Sequence, residues 1–174
     1  MNWYALHVRT NREESVKDWI NYHFNHRTVN AVIPKRKLTE KRSGKIYYIE
    51  KNIFPGYILI NTYMDDKIYY TLKKIPNTIK LLSDAHYFTK IDEKELHPIL
   101  NLLDDEYKID ISKAFFEGST VYFKEGPLVG MEGIIAKINK HTRRAKVELN
   151  FMGELRSFDV GIDFLEKEYD RECK

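Results

Sequence analysis

Long apolar runs are missing from this sequence, and cysteine is nearly so. No stretch approaches the roughly 20 consecutive apolar residues that a membrane helix needs. The N-terminus passes straight into Trp3-Tyr4-Ala5-Leu6, without a basic segment leading into a long apolar one. Neither a membrane span nor a secretory leader is expected, and the chain reads as cytoplasmic. The single cysteine, Cys173, lies in a charged tail, where it cannot close an internal disulfide and has no setting for a thiolate nucleophile. Net charge is also nearly absent: 29 basic against 26 acidic residues leave +3 over 174 residues. Any partner that recognises the chain by charge must therefore use local clusters.

Catalytic signatures are missing as well. The sequence contains no H-E-x-x-H, no Gly-rich phosphate loop and no paired cysteines. Of six histidines only His23 and His26 are close, at helical i,i+3 spacing, and no third ligand follows nearby, so no metal site is expected. Asp65-Asp66 reads as a helix N-terminus, and Asp104-Asp105-Glu106 falls in an aperiodic charged stretch. Without convergent titratable groups or a cofactor motif, the chain is expected to be no enzyme, to carry no cofactor, and to work by binding as a monomer.

What is present is a 43% apolar content, ample for real cores, and 13% aromatics with 12 tyrosines. Trp3 to Arg9 alternates with both faces apolar, as a strand buried on both sides would. Thr10 and Glu13 fit a capping box ahead of Val16, Trp19, Ile20, His23 and Phe24, which predicts a helix to about His26. Val29 to Ile33 reads as a strand stopped by Pro34, and Lys35 to Lys51 as a protruding hairpin turning at Ser43-Gly44. Tyr57 to Ile60 is a strong strand. Asp65-Asp66 opens a helix through Ile75, Thr78 to Leu82 is a further strand, and a last helix starts near Asp92 with Pro98 kinking it or moving its start.

This order predicts an α+β N-terminal domain, an antiparallel sheet with packed helices, over residues 1–105. A linker is expected at 106–114. Residues 115–174 read as an all-β small barrel, with strands at Thr120 to Lys124, Met131 to Ile138, Ala145 to Phe151 and Leu155 to Val160. Alternation at Ala145, Val147, Leu149 and Phe151 favours strands over helix in this region.

Charge is local. Lys35 to Lys51 holds Lys35, Arg36, Lys37, Lys41, Arg42, Lys45 and Lys51 against Glu40 and Glu50, a net +5. A second cluster, Lys137, Lys140, His141, Arg143, Arg144 and Lys146, has no acid from Ile134 to Val147. Both sit at turns between strands, where long cationic side chains reach phosphates while staying hydrated. Both clusters are expected to bind the phosphates of a nucleic acid, RNA or DNA.

In the barrel, Lys124-Glu125-Gly126-Pro127-Leu128-Val129-Gly130-Met131-Glu132-Gly133 places Gly126, Gly130 and Gly133 where a tight loop and a bent strand require them, with Pro127 fixing one turn position. The segment resembles the KOW motif of ribosomal proteins and transcription factors. Together with Trp3-Tyr4-Ala5-Leu6-His7 and Phe54-Pro55-Gly56-Tyr57-Ile58-Leu59-Ile60, in this order, it is similar to the NusG family of transcription elongation factors over nearly the whole chain. The resemblance implies an NGN-like domain on bacterial RNA polymerase and a KOW domain of SH3-like barrel type that recruits factors or RNA. It places Trp3, Tyr4, Phe54, Pro55, Gly56 and Tyr57 in or beside the polymerase-binding patch, with Pro55-Gly56 turning Phe54 and Tyr57 outward.

Two features depart from the housekeeping form. Arg9-Thr10-Asn11-Arg12 replaces a Gly-containing loop, and the barrel carries Asn139-Lys140-His141-Thr142-Arg143-Arg144-Ala145-Lys146. With Asn150 to Glu154 and Val160 to Asp163, this run is similar to the specialised LoaP branch, antiterminators whose KOW domain binds a structured hairpin in the nascent transcript. The alternatives are a housekeeping factor coupling polymerase to the ribosome or a termination factor, and a ribosome-associated KOW protein.

Overall fold

The computed structural model describes residues 1–81, 83–84, 87–88 and 90–165, the side chains of 79–89 excepted. Leu82, His86 and Cys173 lie outside the described residues.

The chain runs β1 (Asn2–Val8), α1 (Glu13–His23), β2 (Val29–Val32), β3 (Lys35–Arg42), β4 (Lys45–Asn52), β5 (Tyr57–Thr62), α2 (Asp66–Lys73) and β6 (Thr78–Leu81). A short pair follows, β7 (Ser83–Asp84) and β8 (Tyr87–Phe88), then α3 (Glu93–Leu102) and β9 (Lys108–Ile109). The C-terminal strands are β10 (Ser112–Glu117), β11 (Thr120–Glu125), β12 (Ile135–Asn139), β13 (Arg144–Phe151) and β14 (Glu154–Phe164).

The N-terminal sheet is antiparallel in the order β2-β5-β1-β6. Its centre is the β1/β5 pair, in which Ala5 faces Leu59 and Leu6 faces Ile58. Because side chains alternate along a strand, the sheet serves two cores. Tyr4, Leu6, Val8, Ile58 and Ile60 pack under α1 and α2 with Val16, Ile20, Ile68 and Leu72. Trp3, Ala5 and Leu59 face the other way, toward Leu96, Ile99 and Leu102 of α3 and toward the barrel. The two-sided apolar pattern of β1 has this cause.

Two local expectations change. The Thr10/Glu13 capping box does not form: α1 is preceded by Arg12 with no side-chain cap. Glu13 turns inward instead, and its Oε1 accepts the buried Gly56 N–H at 2.6 Å. The helix also ends at His23 rather than His26, so the histidine pair shares no helix face, and the His23 ring stacks on Trp19 at 3.5 Å. The other caps follow the sequence. Asp65 Oδ1 accepts from Ile68 N at 2.7 Å and Asp92 Oδ1 from Lys94 N at 2.7 Å. Helix α3 starts where expected and runs through Pro98; the carbonyl that loses its donor belongs to Lys94, an exposed residue.

The hairpin β3/β4 turns at Ser43 and Gly44, both at positive φ (50° and 79°), the two-residue turn whose twist suits antiparallel strands. The stretch 106–114 carries β9, parallel to the start of β3, and the first residues of β10. Ser112 and Ala114 are the buried side of β10, residues too small to give an apolar signal in the sequence.

The C-terminal region is all β, an open half-barrel in the order β11-β10-β14-β13-β12, with β10 and β14 parallel and the other pairs antiparallel. Ala145, Val147, Leu149 and Phe151 are its inward row on β13. The strand expected from Met131 begins only at Ile135, because Gly130 at φ 75° and a short 3-10 turn at Glu132–Ile134 come first.

Candidate functional site

The break after β4 leaves Phe54, Pro55 and Gly56 between two strands, with Gly56 at φ 81°. A Cβ there would stand in a tight contact 3.3 Å from the Val8 carbonyl oxygen, but it is the positive φ that favours glycine at this turn. Phe54 and Tyr57 are turned out of the N-terminal sheet, yet the barrel buries Phe54 and covers Tyr57 in part. Phe54 stacks on Phe151 with centroids 4.0 Å apart and 11° between planes, and Phe158 meets its edge at 6.1 Å. Tyr57 is half-buried, stacked on His7 at 4.9 Å and edge-on to Phe151 at 5.7 Å. Phe54 is 5% exposed and Phe151 fully buried.

The six patch residues are thus divided. Phe54, Gly56 and Tyr57 lie together with exposed Pro55 at the rim, and Trp3 packs against the same core cluster as Phe54, its ring edge-on to Tyr107 at 6.2 Å. Tyr4 is not brought to them; it lies in the opposite core.

Docking of the barrel is held by more than aromatics. Glu95 on α3 accepts from the backbone N–H of Met152 and of Gly153, both at 3.0 Å, at the β13/β14 turn. Positive φ at both turn residues (57° and 74°) points the two amides the same way. Gly161 on β14 lets the chain approach β3, since a Cβ there would lie 2.9 Å from the Lys37 carbonyl. Arg36 lies over the Phe158 ring at 5.5 Å. Burial holds its guanidinium below the usual arginine range, Asp159 partly offsets that, and Arg144 adds to it. Glu95, Phe158 and Gly161 carry no local sequence signal for this role, because each acts only across a domain boundary.

Glu95→Ala is expected to weaken docking by about 1–3 kcal/mol, the scale of hydrogen bonds to a charged group. Faster amide exchange across residues 54–57 would report it; unchanged protection would contradict it.

The KOW turn is a buttress. Gly126 at φ 100° abuts Ser112, Leu128 N donates to Ser112 Oγ at 3.0 Å, and the Leu128 side chain is fully buried. Pro127 is half-buried, Lys124 is exposed, and Gly133 has open space around its Cα.

The barrel cations occupy β12, the following turn and the start of β13. Lys137, Lys140, His141 and Lys146 are exposed, while Arg143 and Arg144 are half-buried. Arg143, at φ 53°, pairs with Asp163 at 2.8 Å, and Arg144 with Asp159 at 3.5 Å. Lys140 Nζ sits 3.3 Å above the Phe116 ring. In the hairpin cluster, Lys35 pairs with Glu14 at 2.6 Å, Lys37 with Asp110 at 3.1 Å and Arg42 with Glu40 at 2.7 Å, whereas Lys41 and Lys45 are exposed. Among the described residues no group of three or more His, Cys, Asp or Glu is placed to hold a metal, and no helix is long and apolar enough to cross a membrane.

The family described as "Transcription termination factor nusG" matches residues 1–100. Relatives named "Transcription termination/antitermination protein NusG" align nearly end to end. That of Rickettsia prowazekii is 26% identical over 171 residues, covering 95% of this chain and 89% of its own. That of Bacillus subtilis is 27% identical over 172 residues, covering 94% and 95%. The solved structure titled "Domain interaction in Thermotoga maritima NusG" has the same two-domain fold, with a TM-score of 0.58, 21% identity, and 92% and 93% coverage.

Proposed function

Because the chain belongs to the NusG family of transcription termination/antitermination factors, we propose that it is a processive antitermination factor of the LoaP-like kind. NusG-family factors are non-enzymatic and act with RNA polymerase. In this reading, residues 1–105 bind polymerase through Trp3, Phe54, Pro55, Gly56 and Tyr57, with Tyr4 supporting the patch from the core. Residues 106–114 connect, and residues 115–174 hold a structured hairpin of the nascent transcript. Once bound polymerase holds the two domains apart, the hairpin cluster Lys35 to Lys45 faces upstream DNA, and the factor works as a cytoplasmic monomer.

The observation that carries the RNA assignment is the β12/β13 turn. Lys137, Lys140, His141 and Lys146 are exposed around it, and Arg143 and Arg144 are held in place by carboxylates of β14. Pre-set cations on a rigid turn suit the phosphates of a folded RNA, which proteins recognise largely by shape and backbone. With three to five phosphate contacts, log K should fall with log salt at a slope of roughly −2 to −4. Filter binding of an RNA stem-loop over a salt series measures it, and a flat response would retire the RNA reading.

The general-factor reading draws on the same near full-length similarity to relatives named termination/antitermination proteins. Transcription past a terminator separates the two. A LoaP-like factor gives read-through that depends on a leader hairpin, and a general factor acts without one.

A further inference from the structure

Closure of the barrel over the N-terminal domain brings the tip of the β3/β4 hairpin beside the β12/β13 turn. Between them lies a groove of about 710 Å³. One wall carries Lys41 and Arg42, the other His141, Arg143 and Arg144, and Glu40 is the one acid among the lining residues. Glu40 is already engaged by Arg42 and by Lys51 at 3.6 Å. Lys41 and His141 have no ion-pair partner among the described residues, and the buried Nε of Arg144 has no hydrogen-bond acceptor among them.

Neither wall makes the groove alone. Its width is set by the Lys37/Gly161 approach, by Arg36 over Phe158 and by the Phe54/Phe151 stack. The two basic clusters, about a hundred residues apart in sequence, thus form one cationic cleft. Five cationic or titratable donors facing each other across one cavity suit a polyanion whose charges repeat along a strand, which is the chemistry of a phosphodiester backbone.

We propose that this groove is a composite RNA-backbone site, present only while the two domains are closed. The proposal rests on the RNA-binding reading above and adds the hairpin wall to it. A ligand that touches both walls binds the closed form more tightly and so shifts the population toward it. The same closure covers Phe54 and Tyr57, so RNA in the groove and polymerase on the patch oppose each other, and by linkage each weakens the other by the same factor. When polymerase opens the domains, RNA is left on the barrel wall alone.

The test measures binding of a labelled RNA stem-loop, and of a DNA duplex of equal length, to the full chain over a salt series. The hairpin-wall variant is Lys41→Ala combined with Arg42→Ala, and the barrel-wall variant is His141→Ala combined with Arg143→Ala. The hairpin-wall change is expected to weaken RNA binding and to flatten the log–log salt slope by roughly 0.7 to 0.9 for each phosphate contact removed. In a background that opens the domains, Phe151→Ala or, should that variant not fold, Glu95→Ala, the hairpin-wall change should have no further effect.

Unchanged RNA affinity for the hairpin-wall variant, with loss for the barrel-wall variant, would overturn the composite site and leave the RNA reading standing. Equal losses in closed and opened backgrounds would overturn the dependence on closure. Salt-independent binding that neither wall affects would overturn both, and preference for the DNA duplex through the same residues would overturn the assignment to RNA.

Discussion

Phe151→Ala is expected to raise the affinity of the chain for RNA polymerase while lowering its thermal stability, and Phe54→Ala to lower that affinity. The two rings form one stack, 4.0 Å apart, so a stabilising contact between ordinary core residues would give both variants the same sign. The patch account gives opposite signs. In that account Phe54 is part of the surface proposed to meet polymerase, whereas Phe151 covers it from the barrel. Removing a buried phenylalanine costs about 3–5 kcal/mol, shared here between the barrel's own core and its docking on Phe54 and Tyr57. If about 1.4 kcal/mol of that falls on docking, the ratio of closed to open forms drops tenfold. Apparent polymerase affinity then rises up to about tenfold for as long as the closed form dominates, since a site pays in affinity for the fraction of time it is hidden. Titration of labelled polymerase core with each variant decides it. A loss for Phe151→Ala equal to that for Phe54→Ala would contradict the occluded patch.

Gly126→Val is expected to unfold the barrel at temperatures where the parent chain is intact. Glycine at φ 100° already occupies a conformation that β-branched residues avoid. A Cβ there would also lie 2.7 Å from Ser112 Cα and 3.0 Å from the Ile111 carbonyl, which are backbone atoms that no side-chain rotation can clear. Relief requires β10 to move, which breaks the Ser112 Oγ to Leu128 N hydrogen bond and lifts Leu128 from its fully buried place. The expected cost exceeds about 3 kcal/mol, in the range reserved for strain combined with lost packing. Gly130→Ala is the control: φ is 75° there, but nothing lies within 4 Å of the added carbon, so only about 1 kcal/mol of backbone strain is expected. Calorimetric melts of the two variants measure the difference. Equal, small shifts would mean that Gly126 is a replaceable turn residue.

These two glycines show where sequence reasoning reached and where it stopped. The motif identified a turn that needs glycine, and periodicity placed β1, the hairpin and β13, because each of these is decided by neighbours in the chain. The hairpin turn at Ser43-Gly44 and the caps at Asp65 and Asp92 are local in the same sense. Glu13 misled for a physical reason: its spacing from Thr10 is that of a capping box, but the buried Gly56 N–H is a partner supplied by the turn before β5, more than forty residues on. β10 escaped because its buried side is Ser112 and Ala114, small residues that line a crowded interior without raising local hydropathy.

The candidate site divides the same way. Phe54 and Tyr57 were legible from the Pro55-Gly56 break, and the basic clusters from their composition. That a barrel phenylalanine covers the first, and that the two clusters share a groove, depends on how one domain lies on the other. Contacts such as Glu95 with Met152 and Gly153, or Arg36 with Phe158, join residues roughly sixty and 120 positions apart, and no periodicity records them. Tyr4 shows the limit of reading neighbours together: it is adjacent to Trp3 in sequence, and strand alternation puts the two on opposite faces of the sheet.

The central claim is that one face of this chain meets polymerase and another meets the transcript. Site-specific photo-crosslinking in a transcribing elongation complex tests it most directly, with one probe at Tyr57 and one at His141. The account predicts that the Tyr57 probe labels a polymerase subunit and the His141 probe labels nascent RNA. Labelling of ribosomal protein by the Tyr57 probe, with no polymerase adduct, would contradict it.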